Sequence, residues 1–202
     1  MAEFMKDETV KVIGIAGSIR QGSFNRMLLS NMFKLLPEWA EKEIVELNAI
    51  PVFNQDLEHD QPAEVTMIKE KVRQADLVIF TTPEYNHSMS GVLKNTLDWL
   101  SRPPVHNPFS WKVAAIASAS TGAVGGARAQ EDLRRTLTSL GAIAVPRPEV
   151  MIVNADKKFS QDGILTDPIA KNLIAELLDN SLRLALSVKR AQYETLTVFS
   201  RA

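Results

Sequence analysis

The chain has 202 residues, 45% of them hydrophobic and 23% charged, with a formal net charge of −1. That is the profile of one globular domain (1–202) with a substantial core and no basic field for nucleic acid or an anionic membrane. It contains no cysteine, which excludes disulfides, thiolate metal sites, cysteine nucleophiles and iron–sulfur clusters, and its three histidines never take the H-E-x-x-H spacing of a zinc enzyme. The polar start MAEFMKDETVK carries no apolar signal core and no apolar run approaches membrane-spanning length, so a cytoplasmic protein without membrane insertion is expected.

Strand-like and helix-like stretches alternate along the chain, the pattern of an α/β domain with a parallel sheet. VKVIGIA (10–16) reads as the first strand, followed by a helix with Leu28, Met32, Leu35 and Leu36 on one face, ending near Pro37. A short second strand is expected at 44–47. The segment PAEVTMIKEKVRQA is a helix with Val65, Ile68 and Val72 inward. LVIFTT (77–82) is almost wholly apolar, as a strand buried on both faces must be. Leu93, Leu97 and Leu100 mark a third helix, KVAAIASAS a fourth strand, and Leu133, Leu137 and Leu140 a fourth helix closed by Gly141. A fifth strand is expected at 142–145, continued at 150–153. A last helix starts at Asp167-Pro168 and runs to about Val188; the tail after Tyr193 carries no signal. Five strands of this kind fit the flavodoxin-like order 2-1-3-4-5, a three-layer sandwich with helices on both faces. In that order a ligand binds beyond the C-terminal ends of strands 1, 3 and 4.

The loops at those three ends hold the chemistry. GSIRQGSFN (17–25) offers Ser18, Ser23 and Asn25 as small donors, a helix N-terminus and Arg20, a set that suits a phosphate. It is neither the dinucleotide G-x-G-x-x-G nor a P-loop; its alternative is a capped turn with a solvated arginine. PEYNHSMSG (83–91) puts Pro83, Tyr85 and Asn86 at a strand end, where backbone amides can meet the edge of a planar heterocycle; its alternative is a surface turn with a packed tyrosine. His87 has no identifiable partner carboxylate as a general acid. SASTGAVGGAR (118–128) lets backbone lie close to a flat ligand, with Ser118 as a donor, or is a flexible connector. Phosphate at one loop and a ring at the next point to a mononucleotide with a large ring, and flavin mononucleotide fits best.

At these residues the sequence resembles the NADPH-dependent FMN reductase family, in its quinone and chromate reductase branch. The motifs are GSIRQGSFN, PEYN followed by SGVLKNTLDWLSRP, and SASTGAVGGAR, in that order, over roughly 10–152. The resemblance implies a flavodoxin-like fold, non-covalent FMN, NADPH or NADH as co-substrate, and a homodimer or homotetramer. It places the FMN phosphate on Ser18, Arg20, Ser23, Phe24 and Asn25, and the isoalloxazine against Pro83, Glu84, Tyr85 and Asn86, with Ser118 nearby. It also implies small-molecule acceptors: quinones, free flavins, azo compounds, or oxidised metal ions such as chromate. Two positions depart from the commoner pattern, Ser90 for a proline and His87 for a smaller residue.

The implied chemistry is hydride transfer from NAD(P)H to flavin, then to an acceptor over the same ring face, in ping-pong order, with no catalytic side chain required. Two other classes stand beside it: a flavodoxin-type electron carrier, for which a net charge of −1 is too weakly acidic, and an FMN-binding redox sensor. A receiver domain is excluded, because Gly17-Ser18 and Thr81-Thr82 occupy the places its acidic residues need. Trp99, Leu100 and Pro103-Pro104 suit a dimer contact, or Trp99 is simply core.

Overall fold

The computed structural model describes residues 9–193; the polar start as far as residue 8 and the tail beyond Tyr193 lie outside the described residues. In chain order the elements are β1 (Lys11–Ala16), α1 (Phe24–Leu35), β2 (Glu41–Val45), α2 (Ala63–Gln74), β3 (Leu77–Thr81), β4 (Glu84–Tyr85) and β5 (Ser88–Met89). There follow α3 (Gly91–Leu100), β6 (Val113–Ala119), α4 (Ala127–Ser139), β7 (Ile143–Ala144), β8 (Val150–Ile152), the short α5 (Ala155–Lys158) and α6 (Pro168–Tyr193).

The main sheet runs β2-β1-β3-β6-β7, with β8 also paired to β6 and every pairing parallel. This is the expected 2-1-3-4-5 order with the fifth strand in two pieces. β7 sits opposite Val113 and Ala114, β8 opposite Ala117 to Ala119. Pro146 and Pro148 between them have no N–H to give the ladder, so pairing breaks there and resumes. All residues of β3 and β6 are buried, as central strands covered on both faces require. One apolar layer joins the sheet to α1 and α6, the other to α2, α3 and α4.

Three details differ from the sequence reading. β2 begins at Glu41, because Lys11 pairs with Glu41 and an edge strand tolerates charged residues facing water; Ile44 is half-exposed there. In α1 the inward stripe is Leu28, Leu29, Met32 and Phe33, continued by Leu36, and Leu35 falls at its rim, 48% exposed. α6 runs past Val188 because Lys189 Nζ bonds Asp76 Oδ2 (2.9 Å) and Thr9 O (2.8 Å), tying another turn to the base of the sheet. Trp99 is core, not interface: it is fully buried, donates from Nε1 to Pro51 O (2.9 Å) and meets the Phe53 ring edge-on at 5.0 Å.

Candidate functional site

β1, β3 and β6 are adjacent and in register, Ala16 beside Thr81 and Thr81 beside Ala117, so the loops leaving their C-terminal ends converge. The loops are bonded to one another directly. Gly17 N–H donates to Thr81 O (2.7 Å), and Ser90 Oγ donates to Gly17 O (2.6 Å) while accepting from Leu93 N (3.2 Å) as the N-cap of α3. Ser90, a departure from the usual proline, therefore does two jobs: it caps a helix and holds the start of the first loop.

In that first loop Ser23 caps α1, its Oγ accepting from Arg26 N (3.4 Å). Phe24 and Asn25 are the first helical residues, whose N–H groups have no intrahelical acceptor. Ser18 Oγ accepts from Arg20 N (3.4 Å). The Arg20 side chain folds back over the turn, Nη1 lying 3.2 Å from the point a Cβ on Gly22 would occupy. A guanidinium, two hydroxyls and the opening amides of a helix facing one turn suit an anion. Asn25 enters differently from the expectation. Its side chain is buried, donating from Nδ2 to Ala119 O and accepting at Oδ1 from Ala119 N, both 2.9 Å. Its own carbonyl accepts from Thr81 Oγ1 (2.9 Å). The carboxamide thus clamps α1 to the end of β6, and only the backbone N–H of Asn25 is left for a ligand.

The second loop is a β-hairpin, which sequence reasoning missed. Glu84 pairs with Met89 and Tyr85 with Ser88, and the two-residue tip, Asn86 (φ 51°) and His87 (φ 64°), has both residues left-handed. That is the turn whose twist suits a tight hairpin. His87 stands exposed at the tip, and Tyr85 is 55% exposed on the first strand. The Glu84 carboxylate accepts from Arg128 N (3.0 Å) and Arg128 Nη1 (2.8 Å) at the start of α4. Burial pushes its pKa up, but the side-chain and backbone bonds of Arg128 and the Ala129 N–H outweigh that, holding it below the usual carboxylate range. The carboxylate is spent on α4, leaving backbone as what Glu84 offers a ring. Across the hairpin, Asp132 Oδ2 accepts from Ser88 Oγ and from Met89 N (3.4 Å).

In the third loop Ser118 is fully buried. Its hydroxyl donates to Gly125 O (2.6 Å) and accepts from Gln130 Nε2 (2.7 Å), so within the chain this side chain braces the loop from beneath. Gly126, at φ +92°, brings the chain so close that a Cβ there would lie 2.7 Å from Ser118 Cβ. Among the described residues no three His, Asp or Glu side chains gather as a metal ion would need, and no helix is long and apolar enough to cross a membrane.

Fold and loops together define a flavodoxin-like α/β protein whose strand ends carry a turn of polar donors beside an exposed aromatic hairpin. The chain belongs to the NADPH-dependent FMN reductase family, whose model matches residues 10–157. It is 45% identical over 175 residues, 86% of this chain and 94% of the other, to a Pseudomonas aeruginosa protein named NAD(P)H-dependent FMN reductase. It is 40% identical over 147 residues, 71% of this chain and 78% of the other, to a quinone reductase of Escherichia coli. Among solved structures, FerB, a flavoenzyme NAD(P)H:(acceptor) oxidoreductase from Paracoccus denitrificans, superposes with a TM-score of 0.79 at 30% identity, covering 90% of this chain and 98% of that one.

Proposed function

We propose that the chain is an FMN-dependent NAD(P)H oxidoreductase that passes two electrons to a quinone or similar small acceptor. The observation that carries the reading is the convergence of the anion turn at α1 with the exposed Tyr85 hairpin over adjacent strand ends, in a chain 45% and 40% identical to proteins named as reductases of FMN and of quinones. The donor set of the turn fits the FMN phosphate: Arg20, the hydroxyls of Ser18 and Ser23, and the backbone N–H groups of Phe24 and Asn25. Pro83, Tyr85, Asn86 and the backbone of Glu84 hold the isoalloxazine, and Ser118 braces the opposite loop from below. FMN, when bound, supplies the hydride-accepting and hydride-donating chemistry. The three loops would bind it, with Tyr85 beside the ring and the backbone N–H groups of 84–86 available to stabilise negative charge developing at its edge. NAD(P)H and acceptor use that face in turn, a ping-pong order. Quinones lead the acceptor list; azo compounds and chromate are further candidates in the same class of two-electron or stepwise oxidants. The test is steady-state kinetics of the FMN-loaded protein with NADPH and a benzoquinone. Parallel double-reciprocal lines are expected; intersecting lines, or no quinone-dependent NADPH oxidation, would refute the reading.

A further inference from the structure

Resting on the reading that the three loops hold FMN, we infer that Asp132, a side chain of α4 outside all three loops, is the positioning residue for the Tyr85 hairpin. A ribbon with two residues per strand is not stable by itself. Its tip adds to the difficulty, since both tip residues are left-handed and neither is glycine. The hairpin must therefore be held from outside, and α4 holds it with two residues one turn apart. Arg128 takes the first strand through Glu84. Asp132 takes the second, one oxygen accepting both the Ser88 hydroxyl and the Met89 N–H, while the other pairs with Arg135 Nη2 at 2.6 Å. The Asp132 side chain is 19% exposed, whereas Arg135 is 82% exposed, so the working contact is the one toward the hairpin.

What Asp132 fixes reaches further than one strand. Met89 leads without a break into Ser90, which caps α3 and holds Gly17 O at the entrance of the anion turn. On the opposite strand sits Tyr85, 55% exposed, which the functional reading sets beside the acceptor. Releasing the second strand gives Tyr85 a range of positions and loosens Ser90 against Gly17, so FMN and acceptor are both held less well.

The experiment compares FMN-loaded wild type with Asp132→Ala, Asp132→Asn and Arg135→Ala. Asparagine keeps an oxygen that can accept from Ser88 and Met89; alanine keeps nothing. Asp132→Ala is expected to raise the quinone KM and the FMN Kd about tenfold, with Asp132→Asn and Arg135→Ala both within about threefold of wild type. Hydrogen exchange of the variants should show faster exchange confined to amides 84–90 in Asp132→Ala, with the α4 amides of Leu133 and Leu137 unchanged. Unchanged KM and Kd in Asp132→Ala would overturn the inference. So would loosening spread along α4 that asparagine does not repair. If wild type itself holds no FMN, the functional reading fails, and the exchange pattern still decides whether Asp132 holds the hairpin.

Discussion

Replacing Asn25 by alanine separates a clamp from a ligand contact. In the wild type the carboxamide satisfies both the N–H and the C=O of Ala119, and Ala119 is 3% exposed, so neither group can turn to water. A buried polar group left without a partner costs about 1–3 kcal/mol. Two such groups cost about 2–6 kcal/mol, and at about 2–4 °C per kcal/mol for a chain of this size the melting temperature of Asn25→Ala falls by roughly 10 °C. FMN affinity falls with it, because the start of α1, where the anion turn sits, is no longer fixed to the end of β6. Asn25→Asp discriminates further: a carboxylate accepts from Ala119 N–H but sets its second oxygen against Ala119 O, so it recovers little. The assay is thermal unfolding of the apo and FMN-loaded forms followed by far-ultraviolet dichroism. An apo Asn25→Ala protein that melts within about 2 °C of wild type would refute the clamp.

Other variants follow from the same geometry. Arg20→Ala should weaken FMN binding about tenfold by titration while leaving apo melting unchanged, since Arg20 is an exposed group of the turn; unaltered affinity would remove Arg20 from the phosphate site. Gly126→Ala forces a left-handed L-residue at φ +92° against Ser118 and should cost about 3 kcal/mol or more in urea unfolding, with loss of FMN binding; a stable, flavin-loaded variant would contradict the close packing of that loop. Acid stability should depend on Asp167, the cap of α6. Its pKa is lowered by the hydrogen bond to Lys158, then by Ala170 N–H, against an opposing effect of burial. The folded pKa lies below the unfolded value, so its stabilisation is complete above about pH 4 and lost as pH falls through the folded value. Asp167→Asn should therefore flatten the fall in unfolding midpoint between neutral pH and about pH 3, and an unchanged slope would assign acid sensitivity elsewhere.

Which parts of this molecule can be read from sequence depends on the length scale of each signal. The buried strands at Ile79 and Ile116 declare themselves because both faces are covered and the whole run is apolar. The sheet order follows from the alternation of strands and helices, and with it the convergence of three loops. The hairpin is invisible because two-residue strands show no period and Asn86-His87 is not the Asn-Gly that usually announces such a turn. The split fifth strand hangs on Pro146 and Pro148, whose missing N–H groups matter only once the β6 ladder is known. At the site, residue type locates the polar loops but not the direction of each side chain. Asn25, Ser118 and Glu84 are all polar and all at the converging strand ends, yet each spends its side chain on protein. Only the three-dimensional pairing of strand ends distinguishes a donor that waits for a ligand from one that holds the loop in place.

The most direct test of the central claim is the visible absorption of the purified protein loaded with FMN, recorded without oxygen before and after NADPH. A protein-bound flavin is expected, whose absorption bleaches promptly on NADPH addition and returns when a benzoquinone is supplied. A protein that binds no FMN, or one whose flavin bleaches with dithionite but not with NADPH, would contradict it.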